Sequence, residues 1–437
     1  MKAELEHTKP YEMQIKAEID KEDVQKKYDE KLEYIRKNYE FKGFRKGKTP
    51  LSLIRAKLGN SLDDDLAQEI IPEYIEKITK EKEIKPLTRA DIKDFTIKEG
   101  DPLAFTATFE VVPDISLEQE QYFALPLTSR PTAATDQEVN ERLDTFREEK
   151  AVLKPFDGEI DDGIMAYGNL SISSKKDEEK KLEKEEFLVT KGSFVVGELL
   201  FSELLGKKRD DMVVKECELP ADFESFSKGE DVRIVYRVTS TKRKELPELN
   251  DDLAKQIDAD VKDLAELKAK LKQNVEAYKK QRNDRYLQEQ VKKTLVEKIA
   301  VEAPPFLIHM EYANLLNRYG QQMQQLGIGF PSEEAKEQFL QGREEEAQSN
   351  VKVDLILTAI ADKEKIEVPF KEVKERIDEI VTGRPNSSEM RKELLKDSQF
   401  NFLKDEIRQE KTIELIISKA TISESDTEEE KTDQEKK

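Results

Sequence analysis

Near its start the chain carries Phe41-Lys42-Gly43-Phe44-Arg45-Lys46-Gly47-Lys48-Thr49-Pro50, in which two glycines bracket one aromatic and two cations. Glycine tolerates the positive φ angles of a tight turn, so the spacing predicts a loop whose tip presents Phe44, Arg45 and Lys46. Residues 36 to 57 hold eight basic side chains (Arg36, Lys37, Lys42, Arg45, Lys46, Lys48, Arg55, Lys57) and one acidic, Glu40, a net of +7. The other 415 of the 437 residues carry −27, which gives the formal −20 of the whole. A cationic loop with an aromatic tip suits phosphate, or an acidic or apolar protein surface. A solvated basic turn without a partner is the competing reading.

Other chemistry is scarce. The single cysteine, Cys217, allows no intramolecular disulfide and no Cys-rich zinc site. Its neighbours Glu216 and Glu218 would raise its pKa rather than activate it, so a structural role is expected. His7 and His309 are too far apart in sequence to suggest a His-rich metal site. With no GxxxxGK[ST] phosphate loop either, no metal or other cofactor is expected. What remains is apolar: Phe187, Phe194, Val195 and Phe223 in one region, and Phe306, Leu307, Met310, Leu315, Tyr319 and Met323 in another. Prolyl isomerisation needs no acid, base or metal. An apolar bowl that favours the twisted amide can lower the barrier of roughly 18–20 kcal/mol. Methionine and mixed aromatics suit promiscuous binding because they repack. For both sets ordinary core packing is the alternative.

These residues need elements to hold them. Tyr11, Met13, Ile15, Ala17 and Ile19 alternate as a half-buried strand. Asp20 then offers an N-cap to a helix with the stripe Val24, Tyr28, Leu32, Ile35. Thr49-Pro50 starts a helix over 50–58, a third spans 63–82, and Leu103 to Val111 alternate again until Pro113. Two strands and three helices make an N-terminal α/β domain of residues 1–112. Residues 113–150 read as a linker that begins extended and ends in a helix behind the capping box Thr135-Asp-Gln-Glu138. Residues 151–245 are the most β-like: runs at 164–172, 187–190, 212–219 and 232–238, with a short helix in 197–206. Residues 246–420 are helical, over 262–299, 306–326, 332–363, 370–382, 387–399 and 400–419. Apolar spacing does not hold at 3.5 long enough for a coiled coil. Residues 421–437 read as a disordered acidic tail.

Charged residues make up 39% and hydrophobic ones 36%, where an ordinary globular chain has roughly 25% charged. That much charge predicts small cores, long solvated helix faces and about three domains rather than one ball. The acidic balance argues against general nucleic-acid binding outside the basic loop. The first residues lack the apolar core of a signal peptide, and no apolar run approaches the ~18 residues of a membrane span. A cytoplasmic protein with no membrane partner is therefore expected.

Gly43-Phe44-Arg45-Lys46-Gly47-x-x-Pro50, set between two helices of a small α/β domain, resembles the ribosome-docking signature of the bacterial trigger factor family. Length, element order and the segment Leu246-Pro-Glu-Leu-Asn-Asp-Asp-Leu-Ala254 agree, so the likeness covers nearly the whole chain. It implies a multidomain α+β fold with an elongated all-α C-terminal domain bearing arms. It further implies that Gly43, Phe44, Arg45, Lys46, Gly47 and Lys48 dock at the nascent-chain exit of the large ribosomal subunit, against ribosomal protein and rRNA. The helical domain would then bind unfolded nascent polypeptides without ATP, through the apolar residues of 306–323, and assist folding and export. A homodimer off the ribosome is a further implication.

The middle stretch resembles the FKBP-type peptidyl-prolyl isomerase fold, a sheet around one helix, which implies an isomerase domain. Its pattern departs from that family. Tyr167-Gly168-Asn169 is followed by no Asp-Gly turn, Leu182-Glu183 matches the usual Phe-Asp or Phe-Glu pair weakly, and Glu198 stands where an aromatic follows Gly197. A retained fold with weak or absent activity is expected. Two other functions are weighed: a protein that is chiefly an isomerase, which the altered pocket opposes, and a non-ribosomal helical adaptor, which has no need for the basic loop.

Overall fold

The computed structural model describes residues 1–425 apart from 178, 194, 328 and 331. Contacts divide the chain into two compact units, Pro131–Asn283 on one side and Met1–Arg130 with the residues from Asp284 onward on the other. Each unit therefore mixes segments that the linear reading keeps apart.

The chain starts with β1 (Lys2–Lys9) and β2 (Glu12–Ile19), then α1 (Lys21–Asn38), α2 (Leu51–Leu58), α3 (Asn60–Glu81), β3 (Asp91–Thr96) and β4 (Leu103–Glu110). The strands form one antiparallel sheet in the order β1-β2-β4-β3. Alternation exposes the two inner strands to sequence reading because β2 and β4 each bury a row of apolar residues, Ile15, Ala17 and Ile19 against Phe105, Ala107 and Phe109. The edge strands were not legible. In β1 only Ala3 and Leu5, and in β3 only Ile92, lean on the core, and apart from the exposed Phe95 the rest is charged or polar, as edges that must not recruit further strands commonly are. Helix α1 buries the stripe Val24, Tyr28, Leu32 and Ile35. The Tyr28 hydroxyl donates to the Asp63 carboxylate at 2.5 Å, which ties α1 to α3. Asp20 stands at the N-cap position, but its side chain makes no cap hydrogen bond. Pro50 is likewise the N-cap of α2 rather than its first turn.

The stretch expected to be a linker is partly core. After β4 come α4 (Gln119–Tyr122) and β5 (Pro126–Ser129). Leu117, Tyr122, Leu125 and Leu127 are buried in a cluster with helical residues such as Leu295, Ile356 and Ile416. The Tyr122 hydroxyl reaches the Glu364 carboxylate at 2.6 Å.

The second unit starts with α5 (Asp136–Glu149), whose capping box between Thr135 and Glu138 forms as the sequence predicts. It continues with β6 (Val152–Pro155), β7 (Ile164–Ser174), β8 (Lys181–Val189), α6 (Val196–Leu204), β9 (Met212–Glu218), β10 (Asp231–Glu245) and α7 (Asp251–Ile257). The sheet runs β6-β10-β7-β8 with β9 also on β10, all antiparallel, and buries Leu200 and Leu204 of α6 among Ile172, Ile234 and Val238. A smaller cluster joins Val139 and Leu143 of α5 to Leu267 and Leu271.

The last two residues belong to α8 (Leu264–Lys298), and the division between the units falls within that helix. There follow α9 (Pro305–Leu326), α10 (Glu333–Lys363), α11 (Phe370–Val381), α12 (Ser387–Leu394), α13 (Asp397–Ser418) and β11 (Thr421–Glu424). Apolar spacing places these helices to within a few residues; the break before α13 falls at 395–396 rather than 399–400. Strand β11 corrects the reading of the tail: Thr421 to Glu424 pair in parallel with Pro126 to Ser129 of β5. Residues 426–437 of that tail lie outside the described residues. Among the described residues no helix is long and apolar enough to cross a membrane.

Candidate functional site

The basic loop lies between α1 and α2 and is closed by its own backbone. The Phe44 amide donates to the Phe41 carbonyl at 2.9 Å, the Lys48 amide to the Arg45 carbonyl at 2.9 Å, and the Gly47 amide reaches back to the Arg36 carbonyl at 3.0 Å. Gly43 and Gly47 take φ of 92° and 81°, the left-handed region that penalises a Cβ. Phe41 is buried and anchors the base, with the Lys57 ammonium 5.2 Å above its ring. Phe44 is 40% exposed.

The eight cations fall into two groups. Arg36 pairs with Glu33 at 2.5 Å, Arg55 with Glu99 at 2.5 Å and Asp29 at 3.3 Å, and Lys57 covers Phe41. Lys37, Lys42, Arg45, Lys46 and Lys48 are exposed, and among the described residues they make no ion pair. The loop thus keeps its charge uncompensated, although acidic side chains outnumber basic ones in the chain by 95 to 75. Tyr34 and Tyr39, each 57% exposed, lie just before it. Their sequence signal was available: both fall outside the stripe of α1.

The structure divides the second set. Leu315 is buried and belongs to the core, which removes it as a surface contact. Leu307 is half-buried against Ala303, Val351 and Leu355. Phe306 and Met310 are exposed at 37% and 49%. Tyr319 packs edge-on to Phe339 at 5.6 Å, Phe330 lies 5.1 Å from Phe339, and the Arg343 guanidinium sits 4.5 Å from the Tyr319 ring, joining α9 to α10. Met323 is half-buried. The sequence reading passed over Phe370 and Phe400, stacked at 5.2 Å, and Phe402, 66% exposed. Phe402 stands beside the buried Leu403 of α13 rather than on its stripe, which is the signal that could have found it.

In the middle sheet Phe187 meets Phe223 edge-on at 6.2 Å and Tyr236 at 6.5 Å, and Val195 packs on the same core. Phe194 lies outside the described residues. Val195 holds φ 47°, an uncommon and costly state for a β-branched residue. Tyr236, which the sequence did not single out, is fully buried, and its hydroxyl lies 2.8 Å from the carbonyl oxygens of both Ala166 and Phe187. Its ring occupies the space beside Gly168, where a Cβ would come within 2.6 Å of the ring and 2.3 Å of the Arg237 carbonyl. Cys217 is half-buried, and burial pushes its thiol up while Lys215 and Lys175 pull it down. The flanking glutamates are not the cause; Glu216 pairs with Lys175 at 2.8 Å.

The chain combines an exposed basic loop on a small α/β domain with long helices that expose aromatics and methionine, the surfaces of a protein-binding scaffold, and among the described residues no side-chain cluster could hold a metal ion. The comparisons give it a family. The family model for the bacterial trigger factor protein matches residues 1–146, and that for its C-terminus matches 263–418, together more than two thirds of the chain. Trigger factor of Koribacter versatilis (strain Ellin345) is 28% identical over 386 residues, 86% of this chain and 87% of the relative. Trigger factor of Halothermothrix orenii is 28% identical over 432 residues, 95% and 99% of the two chains. A solved structure of the trigger factor chaperone superposes with a TM-score of 0.56 at 20% identity, covering 96% of this chain and 99% of that one, a likeness of fold. The chain belongs to the bacterial trigger factor family.

Proposed function

We propose that this protein is a ribosome-associated, ATP-independent chaperone. The loop at 41–50 docks at the nascent-chain exit of the large subunit, against ribosomal protein and rRNA. The exposed apolar side chains of α9 to α13 hold unfolded segments as they emerge. The observation that carries the reading is the group of five cations, without an ion pair among the described residues, around the half-exposed Phe44, on a chain that is otherwise strongly acidic. Cations left without partners are available to phosphate, and an aromatic among them adds apolar contact. Individually weak apolar contacts, spread over several helices, give avidity with fast exchange and need no nucleotide.

Gly43 and Gly47 set the turn, Phe44, Arg45 and Lys46 make the contacts, and Lys48 adds charge. Phe306, Leu307, Met310, Tyr319 and Met323 contribute to the client surface. The work is placed in the cytoplasm, where ribosomes are, and a second copy of this acidic chain is the natural occupant of the loop off the ribosome. Co-sedimentation with ribosomes tests the assignment. The wild type should pellet, and Phe44→Ala/Arg45→Ala/Lys46→Ala should stay in the supernatant. Equal pelleting of both, or none of the wild type, would sink it.

The middle domain is read as an FKBP-like isomerase fold with little activity. No Asp-Gly turn follows Tyr167-Gly168-Asn169, and the Tyr236 ring fills the space beside Gly168 from the neighbouring strand. Phe187, Val195 and Phe223 keep an apolar wall, with Phe194 assigned to the same pocket on sequence alone. A protease-coupled proline-peptide assay on the full chain should give a rate far below that of an active isomerase of this type.

A further inference from the structure

The first half of α8 carries a second basic run. Residues 268–282 hold six basic side chains and one acidic, Glu276, a net of +5 on a chain that is −20 as a whole. The inward ridge of this stretch recurs every four residues. Leu267, Leu271 and Val275 pack against α5, Lys279 pairs with Glu138 at 2.8 Å, and Asn283 is buried. The row on the far side of the helix, Ala269, Gln273, Ala277 and Gln281, is exposed throughout. One flank of that row carries Lys268, Lys272 and Lys280, and the other Asn274, Tyr278 and Arg282, all exposed. Lys270 is paired with Asp258. Lys268, Lys272, Lys280 and Arg282 make no ion pair among the described residues.

We infer that this face of α8 binds single-stranded RNA, with the four free cations on the phosphates and a base stacked on Tyr278. It is a second site, apart from the loop at 41–50, and it does not rest on ribosome docking. Charge complementarity and composition select the occupant. Lys, Arg, Asn, Gln and Tyr are the side chains that reach phosphate and sugar. A protein-binding patch would place apolar anchors at its centre and few lysines. Here the centre offers two alanine methyls and two glutamines.

Tyr278 decides the form of the RNA. It stands one helical turn from Arg282, so a base can lie on the ring with a cation beside it. Bases stacked inside a duplex cannot reach that ring, which makes the occupant a single strand rather than the folded RNA of a ribosome. The amides of Gln273, Asn274 and Gln281 both donate and accept, which suits the 2′-hydroxyl that separates RNA from DNA. From Lys268 to Arg282 the face runs about 21 Å at 1.5 Å per residue, room for several nucleotides. The acidic remainder of the chain does not forbid this contact, because exposed charges more than about 8 Å apart are largely screened at physiological salt.

The test is fluorescence anisotropy with a short, labelled, unstructured RNA of A and C. The protein is the full chain carrying Phe44→Ala/Arg45→Ala/Lys46→Ala, so that the loop contributes little. Four free cations give a log–log salt slope of about −2.8, at 0.7 per contact. Adding Lys272→Ala/Lys280→Ala should flatten the slope by about 1.4. Adding Tyr278→Ala should weaken binding roughly fivefold or more at every salt concentration and leave the slope alone. Tyr278→Phe should stay within about twofold of the parent, and DNA of the same sequence should bind more weakly. All three side chains are exposed, so thermal melting should coincide with that of the parent. No binding, a slope that survives loss of both lysines, or full affinity in the Tyr278→Ala form would overturn the proposal. DNA bound as well as RNA would make the face a site for any polyanion, and polyglutamate bound more tightly than RNA would give it to an acidic protein; either result overturns the proposal too. None of these outcomes touches the pelleting of the unsubstituted chain with ribosomes, on which the docking reading stands.

Discussion

The salt dependence of ribosome binding can be worked from the ion pairs of the loop. Arg36, Arg55 and Lys57 already have partners within the protein, so docking gains little from them. Lys37, Lys42, Arg45, Lys46 and Lys48 have none among the described residues. If all five neutralise phosphates, counterion release gives a log–log slope of about −3.5 to −4.5, taking 0.7 to 0.9 per contact. Affinity then falls roughly 100- to 500-fold between 50 and 200 mM salt, and fewer contacts give a shallower line. Arg45→Ala/Lys46→Ala should flatten the slope by about 1.4 to 1.8. Phe44→Ala should weaken binding at every salt concentration without changing the slope, because an apolar contact releases no ions. Arg55→Ala, which removes a paired cation, should leave the slope alone. The assay is binding of labelled protein to ribosomes across a KCl series. A slope clearly steeper than −4.5, or one that the double substitution leaves unchanged, would show that cations elsewhere carry the contact and that the sorting into paired and free groups is wrong.

Two further outcomes test the packing. Gly168→Ala in the middle sheet brings a Cβ to 2.3 Å from the Arg237 carbonyl and 2.6 Å from the Tyr236 ring; backbone cannot move aside cheaply, so urea unfolding of the second unit should show a loss of about 3 kcal/mol or more. Glu73 on α3 is held down to about 2 by hydrogen bonds from Lys27 of α1 and then Lys77. A depressed carboxyl stabilises above its unfolded value, here near 4.5, and loses that contribution as pH falls toward about 2. Glu73→Gln should therefore lower stability at pH 6 and make progressively less difference as pH falls toward 2, with a modest gap because Glu73 is 38% exposed; a gap that does not shrink between pH 6 and pH 2 would assign the effect to packing.

The sequence by itself determined the elements that have an apolar period and the loop that breaks the charge pattern. Helices α8 to α11 are legible because their stripes recur every three or four residues, and the loop at 41–50 because glycine spacing and eight cations stand out from an acidic background. Only the tertiary structure decided the rest. Edge strands β1 and β3 half-bury only one or two side chains each, too few to mark a strand in the sequence. Leu117, Tyr122 and Leu127 look like a proline-rich linker until helical residues from 150 or more positions later close over them. Strand β11 exists because β5 offers it a backbone edge, and hydrogen bonds to backbone leave no trace in side-chain pattern. The same holds for the site. The types of Arg45 and Lys46 are in the sequence, but which cations remain unpaired depends on where Glu33 and Glu99 fall in space.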